Sequence, residues 1–426
     1  MRSKYRRHHR LIFLLLLLSS LEMLNRIAGH SHSHANSCSD GAVCAAATPS
    51  PAPDQKLAAK ANIGVFYFDG WYSESDNSHF KGLLDDPQWA GRKPLSGWKD
   101  DTPEIVSQQL KWAHDDGVSF FLFDWYNLDN GRPHVSASLS LNNALQTYQK
   151  LPDHAGVRFA LNAVIAPTYA YTAQQWPGLI EEWTTKFFTD PNYERVDGKP
   201  FLMIEHLNQF SEMINGFDGA TTPLESVNRA LDALQAAAKA HGFPGVFIAG
   251  GVGDWYGYPT KLTFKNPSLL RDAHVDALTE YNNPWGGGSV NSSGAHPSSV
   301  EAKMYEWAWE RLATESPHPY IPTVMDGWDP RPWDEKTKGK VLRWYDRSPE
   351  VLEEMVRSAI DTVNAHPKTM RVERTPAPPL VLIEAWNEMG EGSYIVPTVG
   401  EGNKYGEAVA RAVGAKPVSI APAKAP

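Results

Sequence analysis

Cysteine is almost absent from this chain: Cys38 and Cys44 are the only two in 426 residues. That excludes a disulfide scaffold, and neither residue sits in a pattern that makes a metal-ligand set or a nucleophile. Both lie early, outside the expected fold, at a spacing that suits a small-loop disulfide in an oxidising compartment. Excess positive charge is missing as well. The net charge is −9, whereas nucleic-acid binding draws on clustered Lys and Arg. A neutral polymer such as a polysaccharide is not excluded. Long apolar runs are scarce. Leu11 to Leu18 is too short to span a bilayer comfortably, and Glu22 interrupts its continuation, so no stable membrane span is expected. No internal repeat is found. The first strand-like run leads into Asp69, Gly70, Trp71 and Tyr72 rather than a Gly-rich phosphate loop, which argues against a doubly wound nucleotide-binding sheet.

Basic residues Arg2 to Arg10 precede the apolar run, and small residues follow near Ala28 and Gly29. That is the layout of a secretory signal over 1–29, so a secreted, periplasmic or cell-surface protein is expected. Residues 30–61 read as an Ala/Pro/His-rich linker in which His30, His32 and His34 alternate as a solvated stretch. Residues 415–426 read as a disordered tail. The body, 62–414, is expected to be one domain, and a chain that is 42% hydrophobic can furnish its core.

Eight short β-rich runs cross that body: Ile63 to Phe68, Val118 to Phe123, Val157 to Ala163, Phe201 to Ile204, Val246 to Ala249, Val275 to Thr279, Tyr320 to Met325 and Leu380 to Ile383. Helical patterns separate many of them. Thr102 and Pro103 open one that Gly117 closes. A Leu224–Val227–Leu231–Leu234–Ala238 stripe ends at Gly242, a third helix covers about Glu301 to Thr314, and Ser348–Pro349 open a fourth. Strands alternating with helices mean parallel βαβ units, and eight of them predict a (β/α)8 TIM barrel, a single catalytic domain.

Such barrels carry function at the C-terminal ends of their strands. Here those ends supply Tyr67, Asp69 and Trp71; Asp124, Trp125 and Tyr126; Asn162; Glu205 and His206; Asp254 and Trp255; Glu280, Tyr281 and Asn282, then Trp285; Trp328, Asp329 and Arg331; and Trp386 and Asn387. Carboxylates, amides and rings recurring at one edge are the chemistry of carbohydrate recognition. The expected partner is an oligosaccharide or polysaccharide. No cofactor and no metal is implied, since no Cys/His ligand set is apparent.

Residues 380–398, LVLIEAWNEMGEGSYIVPT, are the most informative stretch. An apolar strand opens into Trp386 and Asn387 and two acids three apart, Glu388 and Glu391, with Gly390 and Gly392 flanking the second. Glycoside cleavage needs one carboxyl to protonate the leaving oxygen and a second on the other side of the bond. Two carboxyls held close push their pKa values apart, so that one serves as acid and the other as base.

With these residues in view, the chain resembles the family 99 glycoside hydrolases, the endo-α-mannosidases, and the broader family-99-like or WbsX-like group, over about 62–411. IGVFYFDGWY (63–72), PEIVSQQLKWAHDDGVSFFLFDWY (103–126), DGKPFLMIE (197–205), GWDPRPW (327–333) and AWNEMGEGSYIVPT (385–398) carry the resemblance in order. It implies a barrel that cleaves α-linked sugars with retention. Glu388 would take the sugar 2-hydroxyl proton, and Glu391 would act as general acid and then base. The mannosidases have Trp and His where this chain has Met389 and Gly390, and Thr-Gln-Ile-Glu where it has Ser393 to Val396. The motif is closer to the broader group, whose members are often named glycosyltransferases. A secreted glycoside hydrolase is therefore the leading expectation, ahead of a noncatalytic carbohydrate-binding cell-surface protein and a glycosyltransferase.

Overall fold

The computed structural model describes residues 61–71, 86–128, 141–166, 169–253, 255–283, 294–333, 343–373 and 377–423. The signal segment, nearly all of the linker with its cysteines and histidines, Tyr72, Asp254 and Trp285 lie outside the described residues.

Eight strands form one parallel sheet: β1 (Asn62–Tyr67), β2 (Phe120–Trp125), β3 (Arg158–Ala163), β4 (Lys199–Ile204), β5 (Phe247–Gly251), β6 (Ala277–Thr279), β7 (Thr323–Met325) and β8 (Leu380–Glu384). Each strand pairs with the next in chain order from β1 to β6, and β8 lies between β7 and β1. The remaining gap is closed just before β7. Leu278 N–H donates to the Pro319 carbonyl at 2.8 Å, and Ile321 N–H to the Leu278 carbonyl at 2.9 Å. The result is a (β/α)8 barrel, and all eight expected runs fall on its strands.

Helices cover the outside: α1 (Pro103–Asp115), α2 (Asn143–Lys150), α3 (Trp176–Glu182), α4 (Leu207–Met213), α5 (Pro223–Ala240), α6 (Pro267–Asp272), α7 (Ser298–Glu315), α8 (Pro349–Ala365) and α9 (Lys404–Val413). Their starts follow local chemistry. Thr102, Thr222 and Ser348 each precede a proline and accept a backbone N–H from the first turn, satisfying a donor the helix leaves orphaned. On α8 the stripe Leu352, Met355, Val356, Ile360 and Val363 is buried, each side chain contributing about 1.5–3 kcal/mol before entropic costs. The segment after α9 has no regular structure, but part of it is fixed rather than disordered: Asn403 donates to the Ile420 carbonyl from its backbone and to the Val418 carbonyl from its side chain.

Strand alternation sorts the rings. Phe120, Phe201 and Phe247 meet inside the barrel, the last two stacked at 5.8 Å. Tyr67, Phe121, Phe123 and Trp125 point the other way, into the helix layer, where Phe123 meets Tyr148 of α2 and Trp125 meets Trp183 just beyond α3. The N-terminal end of the barrel is tied by Asn62, which donates to Glu194 at 3.1 Å and Glu373 at 3.2 Å and accepts from Arg158.

Gly251, the last residue of β5, lets this strand touch the end of β4. A Cβ there would lie 1.6 Å from the Glu205 carbonyl oxygen. Gly251→Ala should lower unfolding free energy by about 3 kcal/mol, the upper end of ordinary overpacking, read from the denaturant midpoint.

Candidate active site

The loop after β8 is anchored before it reaches its acids. Trp386 N–H donates to the Phe66 carbonyl at 2.7 Å, and the Asn387 amide binds both the N–H and the carbonyl of Phe68 at 2.8 Å. The side-chain amide thus extends the β1–β8 pairing past the strand. The chain then folds back on the Glu388 carbonyl, which accepts from the N–H groups of Glu391, Gly392 and Ser393 at 3.1, 2.9 and 3.2 Å. Gly392 has φ +81°, and a Cβ there would meet the Asp329 backbone nitrogen at 2.7 Å, so a side chain is excluded on both counts.

Around this turn the other strand ends supply partners. Tyr281 donates to Glu388 at 3.1 Å and lies 3.4 Å from Asp124, whose other oxygen accepts from Asn162 at 2.8 Å. Asn282 donates to Glu391 at 3.1 Å, and the Trp328 side chain donates to the same carboxyl. Glu205 is fixed by the Ile165 N–H at 2.7 Å. Tyr126 is held by the Asn142 amide on both its backbone N–H and carbonyl. Asp124, Asn162, Glu205, Tyr126, Tyr281, Asn282, Trp328, Glu388 and Glu391 therefore form one polar cluster at the barrel mouth. His206, at the start of α4, stands beside Glu205.

Burial dominates the electrostatics. It pushes Glu388 well above the usual carboxyl range, helped by repulsion from Glu391 and Asp124 and opposed by the Tyr281 hydroxyl. Burial also raises Glu391, to about 7, against the pull of Asn282 and Trp328 on its anion. Asp124 is raised by burial and by Glu205. Each acid therefore makes ionisation of its neighbour less favourable, and both glutamates are held above the ordinary carboxyl range.

Other expected sugar contacts are engaged elsewhere. Tyr67, Trp125 and Trp386 face the helix layer, the Trp386 indole bonded to Gln109 of α1 at 3.0 Å. Asp69 is fully buried and accepts the N–H groups of Ala144 and Leu145 at 2.9 Å, capping α2. Trp71 donates to the Asn387 carbonyl at 2.8 Å and packs on Trp98. Glu280 accepts from Trp255 at 2.5 Å and Tyr320 at 2.7 Å, with no exposed surface. Asn387 is spent on Phe68. Asp329 pairs with Arg92 and Arg331 behind the loop, and Arg331 stacks on Trp344 at 3.9 Å.

Sequence reasoning missed Arg92 and Arg347. Arg347 pairs with Asp326 and Glu401, donates to the Tyr394 carbonyl, and lies between the Tyr394 and Tyr405 rings at 3.7 Å from each. Neither arginine belongs to a periodic pattern or a local motif. A separate cavity of about 490 Å³ lies between α2 and α3, lined in part by Tyr126, Gln146 and Gln175, and is bordered by neither glutamate. Among the described residues, no group of three or more His, Cys, Asp or Glu is arranged to hold a metal ion.

Fold and cluster together define a (β/α)8 barrel with a carboxyl-lined mouth. The family model Glycosyltransferase WbsX matches residues 162–409, and the chain belongs to that family. A glycoside hydrolase-like protein of known structure aligns with TM-score 0.56 at 18% identity, over 85% of this chain and 97% of its own. The GH99 endo-alpha-mannosidase from Bacteroides thetaiotaomicron aligns at 0.47 and 16%, over 83% and 96%. The beta-glucosidase from Thermotoga maritima aligns at 0.46 and 10%, over 85% and 100%. No curated protein sequence matches the chain.

Titration of the Glu391 carboxyl, followed by carbon-13 NMR, should have its midpoint at about 7. In Asn282→Ala the anion loses a donor, so the midpoint should move to higher pH. A midpoint in the ordinary carboxylate range would contradict the burial argument.

Proposed function

We propose that this protein is a glycoside hydrolase acting on α-linked glycans or polysaccharide with retention. The supporting observation is the Glu388–Glu391 pair at the barrel mouth, Glu388 buried and Glu391 half-buried, each carboxyl with its own donors, Tyr281 for one and Asn282 with Trp328 for the other. In the proposed reaction Glu388 takes the proton of the sugar 2-hydroxyl. The freed oxygen attacks the anomeric carbon as the glycosidic bond breaks, and Glu391 gives its proton to the leaving oxygen. Glu391 then deprotonates a water, which opens the 1,2-anhydro ring, and Glu388 returns its proton to the 2-oxygen. These roles need the proton on Glu391 in the sugar complex, whereas burial in the free site favours it on Glu388. A proton shift between the carboxyls on binding is part of the proposal.

Asp124, Glu205, Tyr126, Asn162, His206, Tyr281, Asn282 and Trp328 are the proposed sugar contacts. Secretion, periplasmic residence or display at the cell surface is proposed on the N-terminal pattern alone.

The family name points to a transferase, yet the arginines behind the loop are already committed. Arg92 and Arg331 both pair with Asp329, and Arg347 with Asp326 and Glu401, so each guanidinium is already bonded to a carboxylate of the chain. A sugar nucleotide would bring its diphosphate to a mouth lined by Asp124, Glu205, Glu388 and Glu391, which favours the uncharged substrate of a hydrolase.

Hydrolysis should appear on an array of α- and β-linked glycans, α-mannans included, with loss in both Glu388→Gln and Glu391→Gln by about 10²–10⁴-fold. An activated leaving group should restore cleavage in Glu391→Gln and not in Glu388→Gln; the reverse exchanges their roles. Product formed only with a sugar-nucleotide donor, or full activity in both variants, would overturn the proposal.

A further inference from the structure

Arg92 lies outside the matched family segment and far from the acids in sequence, yet it grips the turn that carries them. It ends a 3-10 turn, Pro87–Arg92, that runs along the outgoing arm of the β8 loop. Backbone pairs hold the two together: Leu95 N–H to the Pro397 carbonyl, Val399 N–H to the Lys93 carbonyl and Gly400 N–H to the Gly91 carbonyl, at 2.8–2.9 Å. Gly91 and Gly400 allow this approach, since a Cβ on Gly400 would fall 2.9 Å from the Gly91 Cα.

From this base the guanidinium reaches under the turn. One nitrogen, Nη1, donates to the Met389 carbonyl at 2.9 Å and to the Asp329 carbonyl at 3.0 Å. The other, Nη2, pairs with the Asp329 carboxylate at 2.5 Å. Asp329 closes the bracket, its backbone N–H donating to the Glu391 carbonyl at 2.5 Å. Met389 and Glu391 are thus fixed by a single buried ion pair, and between them they set where the Glu388 and Glu391 side chains leave the backbone. Trp89 and Arg331 complete the bracket. The Arg92 guanidinium lies 4.4 Å from the Trp89 ring centre, and Arg331 supplies a second cation to Asp329.

We propose that Arg92, through Asp329, is the positioning residue that sets the separation and orientation of Glu388 and Glu391. This role rests on reading those two glutamates as the reacting pair. A fork of donors is required because two carbonyls and a carboxylate are held at once. Lysine supplies the charge without that fixed geometry. Misplacement of reacting groups by about 1 Å costs on the order of 10²-fold in turnover, with little effect on binding.

The test compares Arg92→Lys, Arg92→Met and Arg92→Ala with the wild-type full chain. Crystal structures should show the Glu388–Glu391 carboxyl separation altered by on the order of 1 Å, a readout independent of activity. On the glycan that the wild type cleaves, kcat should fall about 10²-fold with KM within about threefold. The pH profile should shift as the coupling of the two carboxyls changes. Guanidinium salts should restore part of kcat in Arg92→Ala, which a general loss of folding would not allow. If Met and Ala do not fold, Arg92→Lys, which keeps the charge facing Asp329, decides. A folded Lys variant with wild-type separation, kcat and pH profile overturns the proposal. That result, alongside loss of turnover in Glu388→Gln, would leave the hydrolase reading standing and remove only the role of Arg92. A wild type that cleaves nothing would remove the hydrolase reading, while the separation in the variants still judges Arg92.

Discussion

Carboxyl groups buried side by side at the barrel mouth are the constraint on which the rest of the structure depends. Glu388, Glu391, Asp124 and Glu205 repel one another once ionised, and the burial of Glu388 and Asp124, with Glu391 and Glu205 half-buried beside them, limits the water that would screen that repulsion. The surrounding donors, Tyr281, Asn162, Asn282 and Trp328, each stabilise a particular acid and so make the four unequal. The burden continues below the mouth. Glu384, inside the barrel on β8, is pushed well above the usual carboxyl range by burial and by the two glutamates above it. Glu301 of α7 is pushed to about 8. Between pH 4.5 and about 8 the unfolded chain ionises Glu301 while the native state keeps it protonated, so stability falls by about 1.4 kcal/mol per pH unit across that window. The fold gives up stability at neutral pH to keep this interior charge-poor.

Two arginine bridges hold the frame against that strain. Arg347 joins the end of β7 to the β8 loop and to Glu401 before α9, and Arg92 joins the Pro87–Arg92 turn to the β7 and β8 loops. Buried ion pairs of this sort contribute little net stability, because desolvation offsets attraction, but removing one partner costs about 3–5 kcal/mol. Their value lies in geometry. Each satisfies several carbonyls in irregular loops that have no sheet or helix to satisfy them. Loops carrying acids on a barrel need such ties, since the strands fix only where each loop begins.

The barrel was legible in the sequence because its determinants are local. Eight apolar runs and a few Thr-Pro or Ser-Pro helix starts are enough to place strands and caps. The site was legible in part. Glu388, Glu391, Asp124, Tyr281 and Asn282 converge because the ends of β8, β2 and β6 open onto one rim. Two of the misplaced rings, Trp125 and Tyr67, trace to strand parity. Asp124 faces the interior, so Trp125 must face the helices, and the same alternation turns Tyr67 away from the side shared by Phe66. That signal was present in the chain and was outweighed by the general suitability of aromatic rings for sugars. Asp69 and Glu280 were misplaced for another reason. Whether an acid caps a helix or faces a ligand depends on what lies across the fold, Ala144 and Leu145 for one, Trp255 and Tyr320 for the other. Arg92 and Asp329 are 237 residues apart, and nothing local announces their pairing.

The placement of charge also bears on how the family's transferase name fits this chain. Among the described residues, Arg92, Arg331 and Arg347 flank the β8 loop, and each is bonded to an aspartate, a glutamate or a carbonyl. The mouth itself is built from acids, amides, two phenols and an indole. Such a surface offers hydroxyl groups many acceptors and a few donors, and it offers an anion repulsion. In a low-dielectric mouth that repulsion is stronger than it would be at an open surface, because little water intervenes. On the proposed reading, discrimination against charged donors would follow from the same burial that perturbs the two glutamates. On the proposed hydrolase reading, selectivity for an uncharged glycan and the capacity to hold a proton on one carboxyl of the pair would be two consequences of one electrostatic arrangement.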